Sequence, residues 1–342
     1  MKVVTIVVLN WNSAEDTLAC FQSLLQLRFD CENTSINIVL VDNHSLDESW
    51  ETIKQGVLDL SFVPQSEWPY LDLNLRHETS NLSIYLSPVL TEFTVFLVRS
   101  ERNLGYAGGN NIGIEMGIHF NSGYFWILNN DTCVEPFSLK HLLSRMRSDP
   151  SVGICGATIL DYESPNNLQS LGGSRYSFLS GRGSSLLLSD FDSVVTNELV
   201  EAKVDYINGA CMFVSGDFIK TIGPLSEDYF LYCEEMDWVQ RAGDRYRLGV
   251  ELKAVIYHKE GGSLGTEKRG YTGSVMAAYY ITRSKLILTK KYSLITFPVV
   301  WGLQFIKGIR YYLNGHKPHA MAVFRVCFGF GFGSGKFDIE GD

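Results

Sequence analysis

Short apolar runs alternate along the chain with segments of helical periodicity. Residues 3–9 are continuously apolar and rich in β-branched side chains, which is typical of a strand buried on both faces of a sheet, and residues 36–41 are interpreted as a second buried strand. Between them, Leu18, Phe21 and Leu24 recur at helical spacing. This strand–helix–strand order favours a parallel sheet with helical crossovers, and therefore an α/β fold.

The later part of the chain continues this rhythm, with one interruption. We expect strands over residues 95–98, 124–128 and 252–257, and helices over residues 110–120 and 138–147. Residues 56–94 contain three prolines, five acidic residues and no clear period. We interpret them as an insertion on the rim of the sheet.

Polar clusters follow three of the predicted strands, at residues 10–12, 42–45 and 129–131. Ligands of open parallel α/β sheets bind beyond the carboxyl ends of the strands. Asp42 can accept hydrogen bonds from a base or a ribose, and Asp131 can hold a hard divalent cation. Each cluster alone is also compatible with an ordinary Asx turn.

Two further segments carry candidate chemistry. Residues 103–111 form a glycine-rich turn before a helix, which would let the backbone approach a phosphate. Residues 234–237 contain three carboxylates at the start of a short helix, where the helix dipole stabilises negative charge. Asp237 and Arg241 stand four residues apart and are expected to pair. His258 is either a metal or phosphate contact or a structural histidine.

Composition adds a division along the chain. The 342 residues are 45% hydrophobic and 20% charged, as in a globular protein, and the net charge of -9 argues against bulk binding of nucleic acid. Residues 268–336 nevertheless carry eleven basic residues and no acidic one. We therefore predict a catalytic domain over residues 1–265 and a basic, aromatic, helical extension over residues 266–342, which faces an anionic membrane surface.

Cysteine usage and hydropathy bear on the environment of the protein. The seven cysteines are scattered without a CxxC pair, which favours a reducing compartment and a cytoplasmic location over a disulfide or zinc scaffold. Residues 1–10 are interpreted as a first strand and not as a signal peptide. Residues 294–306 are apolar, aromatic and flanked by basic residues, so they are either an interfacial helix on the inner face of the membrane or a helix packed on the core.

Five motifs in one order resemble those of the family 2 glycosyltransferases, in particular of the rhamnosyltransferase-like branch. The resemblance covers roughly residues 2–290, with His258 downstream of the motifs. The motifs are Val8-Leu9-Asn10-Trp11-Asn12, Val41-Asp42-Asn43-His44-Ser45-Leu46-Asp47, Asn103-Leu104-Gly105-Tyr106-Ala107-Gly108-Gly109-Asn110-Asn111, Leu128-Asn129-Asn130-Asp131 and Phe230-Leu231-Tyr232-Cys233-Glu234-Glu235-Met236-Asp237.

The resemblance implies a GT-A fold, a nucleotide-diphosphate-sugar donor, a divalent metal (Mg²⁺ or Mn²⁺) and inversion at the anomeric carbon. Glu235 takes the place of the catalytic base, and Asp131 and His258 are the implied metal ligands. The implied donor-binding residues are Asn10, Asn12, Asp42, Asn43, Asn103, Gly105, Asn111, Asn130, Asn208, Gly209, Glu234, Asp237 and Trp238.

Two departures from the family pattern stand out. Asn129 occupies the position of the first Asp in the DxD-type metal motif, and Glu235 replaces the usual catalytic Asp. We predict transfer of a sugar, with L-rhamnose from dTDP-rhamnose as the first choice, to a hydroxyl of a glycan or lipid-linked acceptor in cell-surface polysaccharide synthesis. The alternative is a non-catalytic nucleotide- or glycan-binding protein on a transferase scaffold. A nucleotidyltransferase or an NAD-dependent dehydrogenase is less favoured, since the glycine signatures of both are absent.

Overall fold

The structure is a computed structural model that describes residues 2–29, 34–65, 75–87, 89–192, 194–259 and 273–329. Its helices are α1 Ala14–Leu24, α2 Ser49–Asp59, α3 Gly105–His119, α4 Ser138–Ser148, α5 Asn197–Glu201, α6 Gly216–Ile222, α7 Glu234–Ala242, α8 Val275–Tyr292, α9 Phe297–Leu313 and α10 Lys317–Cys327. Its strands are β1 Lys2–Asn10, β2 Thr34–Asp42, β3 Val63–Pro64, β4 Thr79–Leu86, β5 Phe93–Ser100, β6 Tyr124–Asn129, β7 Thr132–Val134, β8 Val152–Asp161, β9 Leu168–Leu171, β10 Gly173–Ser177, β11 Arg182–Ser185, β12 Tyr206–Ile207, β13 Cys211–Ser215 and β14 Arg247–His258.

Most strands form one large mixed sheet with the order β3-β4-β5-β2-β1-β6-β13-β8-β14-β7, and β9 pairs with β8. The predicted parallel arrangement holds for the central strands β5, β2, β1 and β6 and for the β8–β14 pair. The flanking strands pair antiparallel. Helices cover the sheet, so the predicted α/β fold with a central sheet flanked by helices is confirmed.

The central strand β1 is buried on both faces, as its continuous apolar run predicts. Val4 and Ile6 belong to one core cluster and Val7 belongs to another, and all three side chains are fully buried. Burial on both faces removes the alternation of apolar and polar residues that an exposed face would impose.

Helix α3 begins five residues earlier than its predicted start at residue 110, so most of the glycine-rich segment is helical. Its glycines at positions 105, 109, 113 and 117 stand four residues apart and line one side of the helix. A methyl group on Gly109 would come within 2.5 Å of Leu9, and one on Gly113 within 2.5 Å of Val7. These two glycines therefore let α3 pack closely on β1.

The segment interpreted as an insertion, residues 56–94, extends the edge of the sheet. Helix α2 runs through the predicted boundary and ends at Asp59. Strand β4 then pairs antiparallel with β5, and β3 pairs with β4. Residues 66–74 and 88 lie outside the described part of the chain.

The described part of the C-terminal extension, residues 273–329, consists of α8, α9 and α10. Helix α8 packs on the segment before α7: the ring of Tyr280 stacks on Phe230 at 4.6 Å, and the Ser284 hydroxyl donates to the Leu231 carbonyl at 2.7 Å. No helix among the described residues is long and apolar enough to cross a membrane. Three of the eleven basic residues counted in the extension lie outside the described part of the chain: Lys268, Arg269 and Lys336.

Candidate active site

The polar clusters at the strand ends meet at one edge of the sheet, because parallel strands end on the same side. Asn10 at the end of β1 lies opposite Asp42 at the end of β2. The Asn10 amide donates to Asp42 Oδ1 at 2.9 Å, and the Thr17 hydroxyl donates to Asn10 Oδ1 at 2.8 Å. The Asn130 amide donates to the Thr17 hydroxyl at 3.0 Å. One chain of hydrogen bonds therefore links three motifs that are far apart in sequence.

Asp42 is the residue that organises this edge of the sheet. Its side chain is fully buried, and its oxygens accept from Asn10 and from the hydroxyl and N–H of Ser45. Arg99 at the end of β5 lies 3.3 Å from Asp42 Oδ2. These partners hold the carboxylate in place, and a contact between Asp42 and a nucleotide base stays a prediction. The exposed residue beside it is Asn12, whose backbone N–H donates to the Ser45 hydroxyl.

Asn43 and Asn103 fix the start of α3. The Asn43 amide donates to Asn103 Oδ1 at 2.9 Å and to the Gly105 carbonyl at 3.1 Å, and Asn43 Oδ1 accepts from the Leu104 N–H. Gly105 has a φ of 71°, and a Cβ there would lie 2.1 Å from the Phe230 carbonyl. Only glycine fits this contact, which brings the α3 start against the segment that leads to α7.

Several other predicted donor contacts are structural. Asn111 is fully buried, donating to the Leu225 carbonyl and to Glu227 while accepting from the Leu225 N–H. Trp238 is fully buried against Phe218 and donates to the Gly223 carbonyl at 2.8 Å. Both were predicted donor contacts, but neither side chain exposes a face in this structure.

Asp237 also has a structural role. Its buried carboxylate accepts from Arg241 at 2.7 Å, which confirms the predicted i,i+4 pair, and from Lys291 and Tyr292 of α8 at 2.8 Å each. Burial acts to raise the pKa of Asp237, but these donors outweigh it and hold the pKa below its ordinary value. The C-terminal extension is therefore tied to α7 through an ionised carboxylate that the predicted donor site had included.

Asp131 and His258 come together, as their shared prediction as metal ligands requires. Their Oδ1 and Nε2 atoms lie 3.3 Å apart, and both side chains are only partly exposed. Gln169 donates through Nε2 to the His258 carbonyl at 3.0 Å, which turns its Oε1 towards His258 Nδ1 at 3.0 Å. Nδ1 therefore carries a hydrogen, and in the neutral imidazole the lone pair of Nε2 points at the Asp131 carboxylate.

Two lone-pair-bearing atoms at this separation repel each other, and either a proton on Nε2 or a metal cation between them removes that repulsion. A carboxylate oxygen suits Mg²⁺ and Mn²⁺ alike, whereas an imidazole nitrogen favours a transition metal, so this pair of ligands fits Mn²⁺ better than Mg²⁺. No group of three or more His, Cys, Asp or Glu side chains is arranged to hold a metal within the described ranges. A cation at Asp131 and His258 would therefore need ligands from a bound molecule as well.

Glu234 and Glu235 open α7 after two residues in the left-handed region, Tyr232 with φ 67° and Cys233 with φ 71°. Such backbone conformations are costly for non-glycine residues and cluster at functional sites. One oxygen of each glutamate, Oε2, is buried without a hydrogen-bond partner among the described residues. The turn therefore holds two buried carboxyl groups whose hydrogen-bonding capacity is only partly used by the described residues.

The surroundings of this glutamate pair favour the protonated form. Burial raises the pKa of Glu235 to about 7, although backbone N–H groups at the helix start partly oppose it. Burial and the neighbouring charge of Glu235 raise the pKa of Glu234 further. The interaction between the two carboxyl groups raises the pKa of Glu234 and lowers that of Glu235, so Glu234 keeps its proton to higher pH. Glu235 therefore titrates near neutral pH.

Tyr106 links the glutamate pair to the strand ends, and the sequence reasoning did not single it out. Its hydroxyl donates to the Gly209 carbonyl at 2.6 Å, and a Cβ on Gly209 would lie 4.0 Å from the Glu235 carboxyl carbon. Burial and the charges of Glu234 and Glu235 raise the pKa of Tyr106 well above its ordinary value. Asn208 precedes Gly209 and accepts from the Ala210 N–H in an Asx turn. The predicted Asn208-Gly209 segment therefore lies beside Glu235.

Comparison with known proteins supports a glycosyltransferase domain. Residues 85–217 match the sequence model described as Glycosyl transferase family 2. This segment contains the α3 start, Asp131 and Asn208, but it ends before Glu235. The match covers less than half of the 342 residues.

Particular relatives agree with this class. The low-salt glycan biosynthesis hexosyltransferase Agl10 of Haloferax volcanii is 27% identical over 151 residues, which are 43% of this chain and 46% of that protein. The match therefore spans less than half the length of this curated relative. The mannosyltransferase PcManGT from Pyrobaculum calidifontis, in complex with GDP-Man and Mn²⁺, superposes with a TM-score of 0.51 at 12% identity, covering 95% of this chain and 86% of that one.

S. aureus TarS 1-349 in complex with UDP-GlcNAc gives a TM-score of 0.49 at 12% identity over 89% of this chain and 71% of that chain. At these identities the structural likeness concerns the fold alone. Together with the sheet topology, the PcManGT superposition identifies the fold as GT-A.

Proposed function

We propose that this chain is a glycosyltransferase that moves a sugar from a nucleotide-diphosphate donor to an acceptor hydroxyl. The observation that carries the proposal is Glu235, a carboxylate that titrates near neutral pH beside Gly209. A general base works best when its pKa lies near the working pH. The family match over residues 85–217 and the hexosyltransferase relative support the same class.

The proposed reaction is a direct displacement with inversion. Glu235 accepts the proton of the acceptor hydroxyl as that oxygen forms a bond to the anomeric carbon. The bond from the anomeric carbon to the diphosphate oxygen breaks, and its electron pair leaves with the nucleotide diphosphate. Tyr106, hydrogen-bonded to Gly209, holds the backbone beside the base in place.

Asp131 and His258 would hold the divalent cation, which when bound neutralises negative charge on the diphosphate. Their 3.3 Å approach and the orientation of His258 by Gln169 support this assignment. Asn12, Asn103 and Asn208 are partly or fully exposed, and we assign them to the donor pocket. The buried residues Asn10, Asp42, Asn43, Asn111 and Asn130 support that pocket from below.

The donor is the first thing to establish. We propose dTDP-rhamnose as the first candidate and a glycan or lipid-linked hydroxyl as the acceptor. Purified protein should be screened by thermal shift against dTDP-rhamnose, GDP-mannose and UDP-sugars, with and without Mn²⁺. We expect one donor to raise the melting temperature and to release its nucleotide diphosphate on incubation. Binding without any release or transfer would instead favour the non-catalytic nucleotide-binding alternative.

The metal assignment makes a prediction that does not depend on turnover. Replacing Gln169 with Leu removes the acceptor that orients His258, and loss of such an outer partner weakens metal affinity about 10- to 100-fold. Isothermal titration of Mn²⁺ in the presence of the nucleotide diphosphate measures this affinity. The matched control is Gln55→Leu, an exposed glutamine on α2. An unchanged affinity in Gln169→Leu, or no Mn²⁺ binding by the wild type, would remove the assignment.

A further inference from the structure

Helix α9 exposes an apolar face that no described part of the chain covers. We define the outer α9 face as Val299, Ile306, Ile309 and Leu313, together with Ile295 in the turn before the helix. All five side chains are exposed, with 95% exposure for Ile295 and 76% for Leu313. Residues 299, 306 and 313 are seven positions apart and therefore lie on one side of the helix.

The opposite side of α9 is already packed. Val300, Gln304, Gly308 and Tyr311 are buried against the neighbouring helices. The helix is thus apolar on two sides, and only one of them is explained by the fold of this chain. Isolated exposed apolar residues need no explanation, but a row along a whole helix marks an interaction surface.

The charge around this face identifies the kind of partner. The described C-terminal helices, residues 273–329, contain no acidic residue and eight basic ones: Arg283, Lys285, Lys290, Lys291, Lys307, Arg310, Lys317 and Arg325. Arg310 lies on the same side of the helix as the outer α9 face, Lys317 begins the next helix, and both are exposed. A second copy of the chain would bring like charges together, whereas an anionic surface would neutralise them.

We propose that the outer α9 face docks on an anionic lipid bilayer, with the helix lying in the plane of the interface. A helix with exposed aliphatic residues and flanking basic residues gains both burial in the acyl boundary and attraction to anionic headgroups. None of the described helices meets the length and hydropathy needed to span the bilayer. Docking of this kind requires neither spanning nor a covalent anchor.

This surface is tied directly to the candidate active site. Helix α8 precedes α9, and its Lys291 and Tyr292 bind Asp237, two residues after Glu235. A bilayer docked on α9 would therefore be linked to α7 through α8. That arrangement suits an acceptor carried on a lipid, although docking itself does not depend on the proposed transfer reaction.

Co-sedimentation of the full chain with vesicles tests the proposal. We expect the protein to pellet with vesicles of equal parts phosphatidylcholine and phosphatidylglycerol, to stay in solution with phosphatidylcholine alone, and to release as salt is raised. The double substitution Ile306→Glu with Leu313→Glu should weaken binding at least about tenfold. The matched control is Leu179→Glu with Leu188→Glu, two exposed leucines outside the extension, and it should bind as the wild type does.

A second variant keeps the test informative if Ile306→Glu with Leu313→Glu lowers the expression of the protein. Arg310→Gln with Lys317→Gln should weaken binding to the anionic vesicles about tenfold or more, since each basic residue near the surface contributes attraction. Wild-type protein that ignores anionic vesicles, or binds both lipid mixtures equally, would overturn the proposal. So would a dimer in solution that Ile306→Glu with Leu313→Glu dissociates, because a second copy would then cover the face. The assay needs no sugar donor, so its failure leaves the transferase proposal untouched.

Discussion

Helix α7 carries acidic residues with opposite surroundings within a single turn. Asp237 is buried with Arg241, Lys291 and Tyr292 around it, and its pKa is held below the ordinary value. Glu234 and Glu235 have no comparable set of cations among the described residues, and burial raises the pKa of both. The comparison shows two treatments of a buried carboxylate. Asp237, which joins α7 to α8, is kept ionised by the cations around it, whereas Glu234 and Glu235 beside Gly209 are left able to take up a proton.

Removing the base should have the largest effect. Glu235→Gln keeps the shape of the side chain but cannot accept a proton, so we expect transfer to fall about 10²- to 10⁴-fold with donor affinity nearly unchanged. The control is Glu234→Gln, in which the amide can still donate to Glu235 as the protonated carboxyl does, and it should stay within about tenfold of the wild type. Steady-state transfer and donor calorimetry on both variants measure the difference. Near-normal transfer by Glu235→Gln would show that Glu235 is not the general base.

Removing the charge of Asp237 should have a smaller effect, mainly on the stability of the fold. Asp237→Asn leaves Lys291 and Arg241, which are both partly exposed, without their shared partner, and we expect a loss of about 2 kcal/mol in the free energy of unfolding at neutral pH. Because the folded pKa of Asp237 is lowered, its contribution is present above the ordinary value of 3.8 and is lost as the pH falls through the folded pKa. The difference between wild type and variant should therefore shrink in acid.

Denaturant unfolding at several pH values measures this contribution of Asp237. The matched control is Asp228→Asn, which also faces Lys291 at 3.4 Å but has an exposed side chain. We expect less than about 0.5 kcal/mol from that change. Equal effects of the two substitutions would show that burial does not distinguish the two aspartates.

The elements of the sheet were predictable because their signals are local. Strands β1, β2 and β6 follow from their short, mainly apolar runs, and α4 follows from its helical spacing. The start of α3 was not predictable, since glycine disfavours helices and its value here lies in close packing on β1. That packing joins Gly109 to Leu9, one hundred residues apart.

The candidate site was predictable only in part, because its motifs are local signals but the contacts between them are not. The order of the motifs predicted Asp131, His258 and Glu235 as site residues. The side chains that determine whether each predicted residue can contact a ligand come from distant segments of the chain. Arg99 and Ser45 hold Asp42 in place, and Lys291 holds Asp237. Whether a polar residue faces a ligand or supports the residue that does so depends on these long-range contacts.

The pH dependence of transfer by the wild-type protein tests the central claim most directly. With saturating metal, kcat/KM should rise with pH and level off with an apparent pKa near 7, because Glu235 must lose its proton before it can accept one from the acceptor. The same limb should persist in Glu234→Gln. A rate that is already at its plateau just above 4.5, the ordinary pKa of a glutamate, would contradict the account.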